Sequence, residues 1–141
     1  LTAAPAIAVY IKDIISKKLN LKENIYFYPY RKRIIKFTDL SLEEKNELIS
    51  KNPEYGRMIC KCELITEGEI IDSINRPLGA RTVKGVKRRT GAGFGNCHGA
   101  YCNEKIIQIL SRELDRKFTD IVDDSKKSNI ISGRIKEFKD I

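Results

Sequence analysis

The chain has 141 residues, of which 41% are hydrophobic, and a formal net charge of +8. This size supports one modest domain with appendages, and the sequence has neither a run of about 18 apolar residues nor a signal-peptide pattern, which excludes a membrane span. The 27 basic residues are interleaved with 19 acidic ones, which predicts a solvated basic surface rather than a nucleic-acid site. One histidine, four cysteines and no tryptophan leave few side chains for most enzymatic chemistry.

The first predicted element is an amphipathic helix over residues 2–19. Thr2 is placed to cap this helix and Pro5 fits its first turn. Apolar residues recur at helical spacing along one face, at Ile7, Ile11, Ile14 and Ile15. Because the sequence opens "LTAAPAIA" without a methionine, we expect it to be a piece of a longer protein.

A connector with one short helix is predicted next, over residues 23–54. The stretch "NIYFYPYRKRIIKF" mixes aromatic and basic residues around a proline, which indicates an extended segment. In "SLEEKNELIS", Ser41 and Glu44 have the spacing of a capping box, and Pro53 lies beyond the helix end.

Three more helices are predicted around the cysteines. One starts near Thr66, which forms a capping-box pair with Glu69, one covers "RTVKGVKRRT", and the third starts near Asn103. The stretch between the last two, "GAGFGNCHGAYC", has four glycines within nine residues, which disfavours regular structure. The stretch "DDSKKSNIISGRIKEFKDI", residues 123–141, is polar and predicts a loose, irregular tail with one short strand.

The four cysteines form two closely spaced pairs, Cys60 with Cys62 and Cys97 with Cys102. Nothing in the sequence indicates secretion, and cytosolic thiols stay reduced, which disfavours disulfides. Inert buried cysteines are disfavoured because one pair lies in the glycine-rich stretch rather than in a core element. Metal binding remains, either as tetrahedral zinc or as an iron–sulfur cluster.

The spacing favours the cluster. The pattern is C-x-C, then 34 residues, then C-x4-C, and its first pair is tighter than the C-x2–4-C of zinc fingers. A two-iron cluster is wider and accepts one pair of thiolates per iron. A Rieske site needs two histidines, so the single His98 is interpreted as a loop residue near the cluster.

The surroundings of the proposed ligands suit an anionic cluster. Nearby cations and helix N-termini can offset its negative charge, and glycines let backbone N–H groups approach its sulfurs. The residues predicted to form this environment are Lys87, Arg88, Arg89, Gly93, Gly95, His98 and Gly99.

Two stretches carry a family resemblance. "YGRMICKCELITEGEIIDSI" and "GVKRRTGAGFGNCHGAYC" resemble the [2Fe-2S] domain named after bacterioferritin-associated ferredoxin (BFD), in the version that ends the flavin-dependent anaerobic glycerol-3-phosphate dehydrogenases. The resemblance implies a mostly α fold, a small bundle of short helices that holds a [2Fe-2S] cluster in its loops. It also implies four cluster ligands, Cys60, Cys62, Cys97 and Cys102.

The same resemblance implies the domain organisation. "LTAAPAIA" is similar to the last helix of the FAD-binding domain in those enzymes, so residues 1–22 would be the end of an upstream FAD domain. Residues 23–54 would be the connector, 55–117 the cluster domain and 118–141 the tail.

We therefore expect an electron-transfer domain of a flavin-dependent dehydrogenase that relays electrons from FAD to an acceptor. The resemblance places FAD and the substrate site upstream, so no residue of this chain is expected to be catalytic. Expected partners are the upstream FAD domain and other subunits of a dehydrogenase complex, in the cytoplasm or at the membrane through those subunits. Two alternatives stay open: a zinc-stabilised interaction module, since zinc can replace a cluster lost to oxygen, and a regulatory domain that senses its cluster.

Overall fold

The computed structural model describes residues 2–133. Contacts within the chain divide it into two compact units, which meet in sequence between Lys32 and Arg33. Five α-helices and a two-stranded sheet lie within the described residues. None of the helices in this range combines the length and the apolar character needed to cross a membrane.

The first unit contains one helix, α1 (Ala4–Lys18). Pro5 lies in its first turn, where its missing N–H costs nothing, as expected. The predicted cap is wrong, because the helix is capped at Ala3 without a side-chain hydrogen bond. No residue of α1 is buried within this unit, and its apolar residue Ile7 is 57% exposed.

The extended connector is confirmed. Residues 20–36 contain no helix or strand beyond a single turn. The second unit then begins with a short 3₁₀ turn and α2 (Leu42–Lys51). Its predicted capping box is present: Ser41 N–H donates to Glu44 Oε2 at 2.7 Å, and Glu44 N–H donates to Ser41 Oγ at 3.2 Å.

A small antiparallel hairpin follows, which the sequence analysis did not predict. Strand β1 (Met58–Cys60) pairs with β2 (Ile65–Thr66), and Cys60 lies opposite Ile65. Strands of three and two residues are too short for an alternating pattern to be recognised. The hairpin places Cys60 in the core and Cys62 in the turn.

The core lies between the three helices α3 (Glu67–Asn75), α4 (Val83–Thr90) and α5 (Asn103–Leu114). The side chains at its centre have no more than 1% exposure: Ile70, Ile74, Val86, Ile106, Leu110 and Ile121. Burying each such side chain contributes about 1.5–3 kcal/mol relative to leaving it in water. Ile70 and Ile74 in α3, like Ile106 and Leu110 in α5, are four residues apart, which places each pair on one face of its helix.

Two buried carboxylates anchor α3. Glu69 closes the predicted capping box, accepting from Thr66 N–H and Thr66 Oγ1 at 2.8 Å each. Glu67 is 5% exposed and pairs with Arg57 Nε at 2.6 Å and Arg112 Nη2 at 2.8 Å. A buried carboxylate is tolerated when it is paired in this way, and the pairing joins the start of β1 to α5.

The tail is irregular, as expected, but its described part from 123 to 133 is not loose, and residues 118–122 before it are packed as well. Ile121 enters the core at 1% exposure, and Val122 forms an isolated bridge with Asn129. Carbonyls of Val122 and Asp123 accept the first N–H groups of α4, from Val83 at 3.2 Å and Lys84 at 2.8 Å. The sequence signal was weak because the apolar residues that carry this packing, Ile121 and the partly buried Ile131, stand far apart in a polar segment. The rest of the tail lies outside the described residues.

We expect Ile121→Ala to lower the free energy of unfolding by about 2–5 kcal/mol, because it leaves a cavity in the packed core. The matched control is Ile130→Ala in the same segment, where the side chain is 45% exposed and a loss below about 1 kcal/mol is expected. Urea denaturation measures both. Equal small losses would show that residues 118–133 do not contribute to the core.

Candidate metal centre

The hairpin supplies the first pair of thiols. Cys60 is the last residue of β1 and is 1% exposed, whereas Cys62 lies in the exposed turn. The turn closes through Leu64, whose φ of 53° lies in the left-handed region that leucine rarely adopts. The two side chains of this pair therefore reach the same area from different environments, one from the core and one from the surface.

The glycine-rich loop supplies the second pair. His98 and Gly99 have φ values of 49° and 89°, and this turn directs backbone N–H groups at the Cys97 sulfur. Hydrogen bonds from the N–H of Gly99, from the Cys62 side chain and from the N–H of Tyr101 lower the pKa of Cys97. Such a concave set of backbone N–H groups stabilises an anion, here a thiolate.

The four thiols converge as two pairs. Cys62 Sγ and Cys97 Sγ are 3.6 Å apart, close to the roughly 3.8 Å between two sulfurs bound at about 2.3 Å to one tetrahedral metal. Cys60 and Cys102 form the second pair, joined by a side-chain hydrogen bond. Each pair joins one thiol of the hairpin to one thiol of the glycine-rich loop.

Two of the four thiols have raised pKa values, which disfavours their thiolate forms. Burial, together with the nearby Cys60, raises the pKa of Cys102 to about 11. The hydrogen bond with Cys97 raises the pKa of Cys62. A bound metal cation favours the thiolates and removes this cost, so the donor set fits a thiolate-ligated metal group.

The four thiols lie as two pairs in different environments. Among residues 2–133, no group of three or more His, Cys, Asp or Glu side chains is arranged around one metal position. The pairs are separated by their environment, one buried and one at the surface. Two thiolate pairs are the ligand set of a two-iron cluster, in which each iron takes two thiolates.

Gly95 allows the two loops to meet. A Cβ at this position would overlap Cys62 Cβ and lie 3.3 Å from Cys62 Sγ. Both neighbouring atoms belong to a side chain fixed by the hairpin turn, so the clash has no easy relief. Gly99 is needed too, because a Cβ there would lie 2.5 Å from Asn103 Oδ1 and φ is positive.

The three basic residues of the predicted environment contact different parts of the domain. Lys87 Nζ lies 4.6 Å from the ring centroid of Phe94, beside the glycine-rich loop. Arg88 instead forms a bidentate pair with Asp124, at 2.8 and 2.9 Å. Arg89 donates to the carbonyls of Gly85 and Leu78. Of these three basic side chains, Lys87 is therefore the one that contacts the glycine-rich loop.

The remaining predicted residues lie in the loop itself. Gly93 is buried with a φ of 87°, and His98 is exposed. Of the three expected helix N-termini, that of α4 has its first N–H groups bonded to the tail instead. The N-terminus of α5 is at the site, because Cys102 is its N-cap residue. The sequence analysis missed the backbone donors of Ala100 and Tyr101, since nothing in their side chains indicates them.

Comparison with known proteins agrees with this geometry. Residues 58–112 match the family model described as "BFD-like [2Fe-2S] binding domain". The matched range begins at β1, contains all four cysteines and ends within α5. The chain therefore carries a BFD-like [2Fe-2S] binding domain.

Among curated proteins, the chain is 50% identical over 139 residues to a glycerol 3-phosphate dehydrogenase of Caloramator mitchellensis, covering 96% of this chain and 28% of that protein. It is 33% identical over 60 residues to anaerobic glycerol-3-phosphate dehydrogenase subunit A1 of Haloferax volcanii, covering 43% of this chain and 10% of the relative. The chain is also 34% identical over 59 residues to hydrogen cyanide synthase subunit HcnB of Pseudomonas aeruginosa, covering 39% of this chain and 12% of that protein. The chain thus spans less than a third of these relatives. No solved structure shows significant similarity to it.

We expect Gly95→Ala to reduce bound iron and acid-labile sulfide several-fold, because its methyl group would displace Cys62. The control is Gly56→Ala, whose Cβ would meet only the flexible end of Ile49 at 3.3 Å. Metal analysis and far-UV circular dichroism are measured together. Full metal content in the Gly95→Ala protein would show that Cys62 is not needed where the structure places it.

Proposed function

We propose that this chain is the electron-transfer part of a flavin-dependent dehydrogenase, and that Cys60, Cys62, Cys97 and Cys102 hold its [2Fe-2S] cluster. The observation that carries this proposal is the convergence of two thiol pairs inside a domain of a [2Fe-2S]-binding family. A bound cluster would supply one-electron acceptance and donation, with a potential set by charge, hydrogen bonds and exposure.

The chain's own residues hold and tune this group. Cys60 and Cys102 fix it in the core, where each thiol is 1% exposed. Cys62 and Cys97 extend to the surface, where Cys97 accepts hydrogen bonds from backbone N–H groups. Those donors favour the more negative state of the site, so they make reduction easier.

Substrate oxidation belongs to the region upstream, where the proposal also places FAD. His98 is the sole histidine of the sequence, and it is exposed within the cluster loop rather than aimed into a substrate pocket. No residue of this chain is proposed as an acid or base. Glycerol 3-phosphate is the proposed substrate, because the chain is 50% identical over 139 residues to a glycerol 3-phosphate dehydrogenase.

Residues 1–22 are proposed as the last helix of the FAD domain, followed by a connector at 23–54, the cluster domain at 55–117 and a tail at 118–141. The apolar face of α1 supports its assignment: its side chains at Ile7, Ile11 and Ile14 are between 38% and 57% exposed. An amphipathic helix needs a partner for such a face, and the upstream region would supply it. Other subunits of a dehydrogenase complex are proposed as electron acceptors.

The test uses the full-length protein, purified without oxygen. We expect glycerol 3-phosphate to bleach the flavin absorbance and then produce the electron paramagnetic resonance signal of a reduced [2Fe-2S] cluster. A Cys60→Ser protein should keep the flavin bleaching and lose the cluster signal, because oxygen is a poor substitute for thiolate on this metal group. The proposal fails if the wild-type cluster stays oxidised after the flavin is reduced. A colourless domain with zinc at the four cysteines would support the structural alternative.

The surroundings of the site give a second prediction. Lys87 contacts the cluster loop and Arg88 is neutralised by Asp124, so we propose Lys87 as the cation that offsets cluster charge. Lys87→Gln should lower the midpoint potential, because the reduced state is the more anionic one. Arg88→Gln is the matched control and should leave the potential unchanged. Redox titration measures both, and equal shifts would contradict a specific role for Lys87.

A further inference from the structure

Two of the four cysteines can be reached from solvent. Cys62 is exposed in the hairpin turn and Cys97 is half-buried in the glycine-rich loop, whereas Cys60 and Cys102 are each 1% exposed. A thiol reacts with a dissolved oxidant only if the oxidant can approach its sulfur. In protein that has not yet bound its metal group, the surface pair is therefore accessible to oxidation and the core pair is shielded.

The two accessible thiols are also neighbours. Cys62 Sγ and Cys97 Sγ are 3.6 Å apart, and a disulfide would bring them to about 2.05 Å, a shortening of about 1.5 Å. Rotation of the two side chains can share this movement, because neither cysteine belongs to the packed core. A thiol of the hairpin and a thiol of the glycine-rich loop thus lie close to bonding distance.

We propose that Cys62 and Cys97 form a reversible disulfide in protein that has not bound its metal group, and that this bond prevents metal binding until it is reduced. Its formation follows from the distance and the exposure of the two thiols alone. Its effect on metal binding rests on the proposed function, which assigns both thiols as ligands.

The oxidant that fits these thiols is a small disulfide such as oxidised glutathione. The thiolate of the more exposed Cys62 attacks one sulfur of that molecule, which forms a mixed disulfide and releases one glutathione thiolate. The Cys97 thiolate then attacks the Cys62 sulfur, which forms the Cys62–Cys97 bond and releases the second glutathione. Two protein thiols are oxidised, one small disulfide is reduced to two thiols, and the two thiol protons pass to the released thiolates.

The bond would have two consequences for the domain. It would tie the hairpin turn to the glycine-rich loop, and closing the 34 residues between the two cysteines would disfavour the unfolded chain. It would also remove two of the four proposed ligands, because a metal binds the thiolate and not the disulfide. A disulfide can be reduced again by thiols, whereas sulfonic acid formation at a cysteine is irreversible, so the bond would keep the ligands recoverable.

The first measurement identifies the bond in the full-length protein, from which metal has been removed with a chelator and a reductant, both then removed. Oxidised glutathione is added, free thiols are alkylated before and after denaturation, and peptides are mapped by mass spectrometry. We expect peptides joined through Cys62 and Cys97 with the loss of two hydrogens, and Cys60 and Cys102 alkylated only after denaturation. Unmodified Cys62 and Cys97, or a bond between Cys60 and Cys102, would overturn the proposal.

Two variants of the same loop test the pairing. Cys97→Ser should stop the reaction at the mixed disulfide, with one glutathione retained on Cys62. The matched control Cys102→Ser removes the buried thiol of that loop, and it should form the Cys62–Cys97 bond as the wild-type protein does. Far-UV circular dichroism compares the fold of both variants. Equal retention of glutathione on Cys62 in the two variants would contradict the proposed pair.

The second measurement uses Co²⁺ alone as the probe of metal binding, because its thiolate complexes absorb visible light and need no added sulfide. We expect the reduced protein to bind Co²⁺, and the oxidised protein to bind it about tenfold or more weakly, since even loss of a residue that only supports a ligand costs that much. Treatment with a phosphine reductant, removed before Co²⁺ is added, should restore binding.

The Co²⁺ result separates the two failures. Equal binding by the oxidised and the reduced protein would overturn the inference and leave the ligand assignment standing. Absence of binding by the reduced protein would contradict the ligand assignment of the proposed function, and would overturn the block on metal binding with it.

Discussion

The structure depends on keeping four cysteine sulfurs together at the meeting point of two loops. Thiolates repel one another, and burial alone disfavours the charged form, as the raised pKa of Cys102 shows. A cation is the natural partner for such a set. Metal binding would therefore link the hairpin and the glycine-rich loop, and part of its binding energy would stabilise the fold.

The backbone of the glycine-rich loop also determines the geometry of this site. Gly95 lets the second loop pack against Cys62, and the turn at His98 and Gly99 directs N–H groups at Cys97. The helices hold these loops in place through a conventional apolar core. Sequence changes on the helix surfaces should therefore be tolerated more readily than changes to these glycines, because a Cβ at Gly95 would overlap Cys62 and Gly99 has a positive φ.

Local patterns in the sequence predicted the five helices, and both capping boxes, at Ser41 and Thr66, are present. Cysteine spacing grouped Cys60 with Cys62 and Cys97 with Cys102, whereas the structure pairs Cys62 with Cys97 and Cys60 with Cys102, because the two loops face each other. The hairpin was missed because its strands are too short to show a period, and the packing of the tail was missed because Ile121 and Ile131 stand far apart in a polar segment. The neutralisation of Arg88 by Asp124 is a contact between positions 36 residues apart, and no local pattern encodes it.

The most direct test of the central claim is the composition of the metal site in protein purified without oxygen. Iron, acid-labile sulfide and zinc are counted per chain, and electron paramagnetic resonance spectra are recorded before and after reduction by dithionite. The account predicts two irons and two sulfides per chain, and a signal that appears only after reduction, as a [2Fe-2S] cluster requires. One zinc per chain without sulfide, and no signal in either state, would contradict it.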